Sequence, residues 1–150
     1  MFTLTHGMAA VSCRSDRGTT LARVRGLVVP SSVGQIVRSI EGLSAECGAS
    51  GQVVIYSAQV LISPDDLFSA AQASGRDKLP TALVVSSEQI DLFRAYARLA
   101  LRAGVLKAAF LTEQEARVWL DQAAAVHAYR LARGAQRQSA RASSPAEYPA

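Results

Sequence analysis

An apolar run ending at Phe110-Leu111 passes directly into Thr112-Glu-Gln-Glu115, and that junction constrains the fold more than any other stretch of the chain. Threonine followed three residues later by glutamate opens helices. The hydroxyl accepts from a first-turn amide while the carboxylate reaches back, a device worth about 1 kcal/mol. The helix it opens is expected to bury Ala116, Val118, Trp119 and Leu120. A strand that feeds at once into an amphipathic helix is the unit step of a small α/β domain.

The same step recurs upstream. Residues 52–57 and 81–85 are nearly continuous apolar runs, the pattern of strands buried on both faces. Each leads into a helix signal. Ser63-Pro64-Asp65-Asp66 supplies a capping hydroxyl, a proline for the first helical position and two acids for the positively polarised first turn. That helix is expected to end by Ser74-Gly75. Ser86 or Ser87 opens a longer helix, to about residue 103, with Gly104 as its stop. Further upstream, Ser31-Ser32 caps a helix over 33–47, with Val33, Ile36, Val37, Ile40 and Leu43 at helical spacing and Gly48 ending it. Residues 8–13 and 20–24 read as two strands joined by a turn over 14–19. The order β-β-α-β-α-β-α-β-α predicts an α/β fold: a mostly parallel five-stranded sheet with an N-terminal antiparallel edge hairpin and about four helices.

A chain of 150 residues suits one domain, expected over 1–129. The net charge of +4 suggests an acidic partner until it is divided along the chain. Residues 1–129 hold 12 basic and 11 acidic side chains, whereas 130–150 carry Arg130, Arg133, Arg137 and Arg141 against Glu147 alone. The domain is nearly neutral, so no specific nucleic-acid partner is expected, and 130–150 reads as a basic, flexible tail in which 142–150 should be disordered. Two cysteines, Cys13 and Cys47, are too few for a disulfide framework. No apolar run approaches the roughly 18 residues of a membrane span, and Ala10-Val11-Ser12-Cys13 lacks the flanks of a lipoprotein signal. A cytoplasmic location is expected.

Catalytic chemistry has little material here. The only histidines are His6, expected in a frayed N-terminus, and His127, and neither has metal-ligand spacing. Phosphate-binding, dinucleotide-binding and nucleophile-elbow motifs are missing, so no enzyme activity, cofactor or metal is expected. The candidate site is therefore one of binding. Tyr56 and Ser57 at one strand end, the Ser63, Asp65 and Asp66 helix start, and Ser86 and Ser87 at the next strand end converge where α/β sheets take ligands. Arg94, Arg98 and Arg102, four apart, form a stripe that reads as a solvated helix face or an anion surface.

The order and spacing of these pieces over about residues 20–125 resemble the STAS domain family, and within it the stand-alone bacterial SpoIIAA-like branch. The likeness rests on the 52–57 strand with its loop into Ile62-Ser-Pro-Asp-Asp-Leu67, the 81–85 strand followed by Ser-Ser-Glu, and the closing Phe110, Glu115-Ala116, Trp119-Leu120 series. It implies a non-catalytic interaction module. In antagonist members a strand ends in aspartate and a serine at the next helix start is phosphorylated. Here Tyr56 matches that aspartate and Asp65 matches the phosphorylatable serine, which implies a constitutive surface, or a different partner class, rather than a phospho-switch. The expectation is a homodimeric module that binds a protein partner or small apolar ligand. Its rivals are a lipid or small apolar ligand carrier, which needs an enclosed pocket beside Phe93 and Tyr96, and a hydrolase, which needs a histidine at the Ser57 to Ser63 loop.

Overall fold

A computed structural model describes residues 2–73 and 78–143. The elements run β1 (Phe2–His6), β2 (Ala9–Asp16), β3 (Thr19–Val28), α1 (Pro30–Cys47), β4 (Gln52–Val60), α2 (Pro64–Gln72), β5 (Thr81–Val84), α3 (Ile90–Arg102), β6 (Lys107–Phe110) and α4 (Glu113–Ser143). They form one six-stranded sheet in the order β1-β2-β3-β4-β5-β6. Pairs β1–β2 and β2–β3 are antiparallel; β3–β4, β4–β5 and β5–β6 are parallel. The α/β architecture with an antiparallel N-terminal edge is as expected, with one strand more.

The additional strand is β1. Phe2 pairs with Cys13 and His6 with Ala9, closing a hairpin over Gly7-Met8. Gly7 takes a positive φ of 64°, which a two-residue turn needs. His6 is therefore held rather than frayed: its Nε2 lies 2.9 Å from Ser39 Oγ on α1. The second hairpin is tighter than the expected 14–19 turn. Arg17 and Gly18 alone turn the chain, with φ of 52° and 80°, so both flanking strands are longer.

Helix starts differ in detail. Ser63 Oγ accepts from the Asp66 amide at 3.2 Å, as expected of a cap. α1 begins earlier, at Pro30, and Ser32 folds back so that its Oγ accepts from Val29 N at 3.1 Å and donates to Val29 O at 2.9 Å. Ser86 and Ser87 lie in a turn before α3, whose N-cap position is Gln89. At α4, Thr112 Oγ1 accepts from Glu115 N at 3.3 Å and donates to Glu115 Oε1 at 2.9 Å. The expected end of α2 at Ser74-Gly75 lies outside the described residues. So does residues 144–150 of the expected tail, whereas 130–143 continue α4 as helix.

Alternating side chains divide the core. Val54, Leu83 and Val85 join Val24, Ile36, Ile40, Leu67 and Phe93 beneath α1, α2 and α3. Val53, Ala82 and Val84 face the other way, onto Ala116 and Leu120 of α4, with Trp119 and Phe110 packed at the margin; Val118, expected inside, falls on the outer side of α4 and is 60% exposed. Together the two clusters bury β5 and the 52–54 stretch of β4 on both faces, which is why these read as unbroken apolar runs. α4 covers β4, β5 and β6, and beyond its reach Arg14, Arg23 and Arg25 of β2 and β3 are exposed.

Candidate functional site

Two unequal strand lengths shape the end of the sheet where sequence reasoning placed a site. β4 pairs with β5 only as far as Ile55↔Val84 but with β3 as far as Val28↔Val60. The stretch 56–60 therefore overhangs β5. Its free edge is partly capped by Gln89, whose Nε2 donates to Ala58 O at 2.8 Å. That bond ties the turn before α3 to β4 and makes the 56–66 and 85–91 segments one surface. Gln89 Oε1 is buried with no hydrogen-bond partner among the described residues.

The expected site residues fall into two groups on this surface. Tyr56 is half-buried, its ring 4.7 Å from that of Phe93, which meets Tyr96 edge-on at 6.4 Å. It is built into the core margin. Ser57, one residue on, points to the opposite face and is exposed, and so are Ser63, Asp65, Asp66, Ser86 and Ser87. Between them stands Leu61, 54% exposed, which sequence reasoning passed over as loop.

The arginine stripe lies alongside. Arg94, Arg98 and Arg102 are all exposed. A shallow depression of about 280 Å³ between α2 and α3 brings Arg98 and Arg102 to Pro64 and Asp65. A second, about 230 Å³, runs between α3 and the edge strand β6 beside Arg94, Arg98 and Leu101. The two features read separately from sequence, the acidic helix start and the stripe, thus meet at the α2–α3 seam.

A buried polar cluster lies deeper, and sequence reasoning missed it. Lys107 and Glu41, each 8% exposed, line a cavity with Gln52, Tyr56, Thr81 and Tyr96. Lys107 Nζ donates to Tyr96 Oη at 2.6 Å. Gln52 Nε2 donates to Ser44 Oγ at 2.9 Å, Gln52 Oε1 accepts from Thr81 Oγ1 at 3.1 Å, and Ser44 and Thr20 hydroxyls meet at 2.7 Å. The signal was present. Glu41 falls on the same helical arc as Val37 and Ile40, and Lys107 opens an otherwise apolar strand. The cavity measures about 20 Å³, space for a single water and far short of a lipid. Phe93 beside it is fully buried.

Neither histidine approaches the Ser57 to Ser63 loop. His6 sits in register with Ala9, then Gly26, then Ala58, three strand spacings away, or about 14 Å. His127 lines a recess with Gln72, Lys78, Ala103 and Arg130 instead. A nucleophile and base need hydrogen-bond reach of about 3 Å, and these groups do not have it.

Among the described residues, no group of three or more histidine, cysteine or acidic side chains could hold a metal ion. No described helix is long and apolar enough to cross a membrane. No family model matches the chain, and no curated protein does. Among solved structures it is similar to an uncharacterized protein from the DUF3478 family with a SpoIIAA-like fold, from Shewanella loihica. The sequence identity is 16% and the TM-score 0.47, over 80% of this chain and 98% of that one.

Proposed function

We propose that the protein is a non-enzymatic interaction module whose partner is another protein with a basic surface, docked on the face built by the 56–66 and 85–91 segments. The observation that carries this reading is Leu61, 54% exposed in the loop that leads to the acidic α2 start at Asp65 and Asp66. An apolar anchor with a charged, solvated surround is the anatomy of a small protein interface. Asp65 and Asp66 supply the negative charge permanently, and Ser63 is committed to capping, so the face is in its binding state without modification. With Glu88 and Asp91, also exposed, these carboxylates outnumber Arg98 and Arg102 at the seam, and steering by this acidic excess raises the on-rate for a basic partner. The STAS-like order of elements supports the same class of function. The carrier reading has no comparable support, because the space beside Phe93 and Tyr96 holds one water at most.

A photoreactive amino acid placed at position 61 in the protein's own host tests this. The expected result is one dominant protein adduct. It should be lost when Asp65→Lys and Asp66→Lys are combined, and it should not form from position 118 on the opposite side of the sheet. Equal adducts from both positions, or adducts only with a second copy of the chain, would overturn the reading.

A further inference from the structure

α4 outruns the domain that supports it. Its inward face buries Ala116, Leu120 and Ala123, and the same alternation of three- and four-residue steps continues through His127, Arg130, Gly134, Arg137 and Arg141. The face that packs on the sheet thus becomes, past the sheet, a row of arginines. Arg133 lies beside this row, its guanidinium 6.0 Å from the Tyr129 ring centroid. Every described side chain from Ala128 onward is exposed, Tyr129 at 64% and Leu131 at 61%. From Arg130 to Arg141 the row extends about 16 Å at 1.5 Å per residue.

The spur is electrostatically unbalanced. No acidic residue occurs between Asp121 and Glu147. Arg133 and Arg137, and then Arg137 and Arg141, are like charges four residues apart, which oppose the helix. An unpacked helix this short is marginal in water. A linear polyanion would remove the repulsion and complete the helix at once.

The reverse face selects among polyanions. It carries Ala124, Ala128, Ala132, Ala135 and Ser139, with Tyr129 and Leu131 at its two margins as the large side chains. An interfacial membrane helix needs a broad Trp, Phe or Leu face there. Small residues keep the reverse side of the spur slender; a helix with its side chains is about 10–12 Å across, and the major groove of a duplex is about 12 Å wide. Arginine forks are suited to bidentate phosphate contact.

We propose that residues 124–143 of α4 form a docking helix for double-stranded nucleic acid, with Arg130, Arg133, Arg137 and Arg141 on backbone phosphates. Contact of this kind is independent of base sequence, and it uses a part of the chain remote from the Leu61 face. Each phosphate neutralised contributes about −0.9 to the slope of log affinity against log salt, so four contacts give about −3.6.

Fluorescence anisotropy of the full chain with a labelled DNA duplex of about 20 base pairs, between about 50 and 200 mM salt, reads this slope. The expected result is a slope between about −3 and −4, the same for two unrelated sequences. Combining Arg137→Gln with Arg141→Gln should flatten it by about 1.8. The matching pair of lysine substitutions should restore it, and circular dichroism should gain helix on duplex addition. The proposal is overturned if no complex forms at the lowest salt or if replacing all four arginines by glutamine leaves binding intact with an unchanged thermal midpoint. It is equally overturned if polyglutamate or phosphatidylserine vesicles bind as tightly as the duplex.

Discussion

Arg117, on the second turn of α4, donates from Nη2 to Asp16 Oδ2 at the end of β2 at 2.7 Å, across 101 residues of sequence. The same guanidinium reaches Glu113 Oε1, one turn back, at 3.1 Å. Partial burial works against the charge on Arg117, but hydrogen bonds and the charges of Asp16 and Glu113 outweigh it and raise its pKa. The bridge fastens the end of the β2–β3 hairpin to the last helix, on the face where Leu21 of β3 also packs against the Ala116 and Leu120 cluster. With side chains 33% and 24% exposed, the Asp16–Arg117 coupling should be about 0.5–1 kcal/mol. A double-mutant cycle of Asp16→Asn and Arg117→Gln in urea measures it. Coupling within error of zero at low salt would mean that the bridge adds nothing to the sheet pairing and α1 packing that already hold the hairpin.

Cys13 and Cys47 should separate cleanly by reactivity. Cys13 is buried in the α1-side core, and loss of hydration pushes its thiol up from 9.0 to about 11; Cys47 is exposed. At pH 8 iodoacetamide should label Cys47 only, with Cys13 following on unfolding, because the thiolate is the reactive form. The folded pKa is raised, so folding retains a proton that the unfolded chain gives up first. The associated stability is complete below pH 9.0 and declines as pH rises towards about 11. Cys13→Ala should remove that part of the alkaline decline; an unchanged alkaline profile in the variant would sink the assignment.

Two glycines with positive φ should respond differently to alanine. Gly26 has φ of 89°, and an added Cβ would fall on the Met8 carbonyl oxygen, which accepts from Leu27 N at 3.1 Å. Gly48 has φ of 60°, and nothing lies within 4 Å of its added Cβ. Gly48→Ala should cost about 1 kcal/mol, the strain of a left-handed alanine. Gly26→Ala should cost upwards of 3 kcal/mol, because strain and a backbone clash combine at a hairpin register point. Denaturant midpoints of the two variants side by side decide this, and equal losses would contradict the close approach.

Much of this architecture was legible because burial imposes a pattern. The 52–57 and 81–85 runs are apolar because α4 covers Val53 and Val84 while α1 to α3 cover Val54 and Leu83. The Ser63 cap and the Thr112–Glu115 pair are local devices, readable from a few consecutive residues. What escaped depends on partners distant in sequence. β1 alternates with threonines instead of running apolar, so it does not announce itself, and it exists because Val11 and Cys13 offer it an edge. Lys107 and Glu41 lie on different elements, and only the fold brings them to one cavity. Ser86 and Ser87 looked like caps, but the Gln89 bond to Ala58 O draws the chain into a turn first and delays α3 to Ile90.

Gln52 is the hinge of the buried polar cluster, accepting from Thr81 and donating to Ser44 while 2% exposed. Gln52→Ala should cost about 2 kcal/mol, combining lost hydrogen bonds with a cavity. The loss is tempered because Ser44 still donates to Ile40 O at 2.9 Å and Thr81 to Leu79 O at 2.9 Å. Gln52→Glu keeps the shape but buries a carboxylate, whose charged form burial disfavours and which when ionised can only accept. It should therefore destabilise less at acid pH than at neutral pH. Urea unfolding at both pH values tests the network, and a neutral Gln52→Ala would show that it contributes nothing.

Removing the spur should leave the domain standing. Ala116, Leu120 and Ala123 are the α4 side chains buried on the sheet, and all precede Tyr129. A chain that ends at Tyr129 keeps each of them and discards the mutually repelling arginines 133, 137 and 141. Its unfolding free energy should match the full chain within about 0.5 kcal/mol, the usual range for changes at exposed sites. A chain that ends before Ala116 strips the cover from Val53, Ala82 and Val84 and gives up about 1.5–3 kcal/mol for Leu120 alone, so it should fail to fold cooperatively. The two truncations, compared by urea denaturation and by one-dimensional proton NMR, divide α4 into its supporting and projecting parts. If ending the chain at Tyr129 already removed several kcal/mol, residues 130–143 would have to pack on the domain, and the exposed arginine row would not be the solution structure.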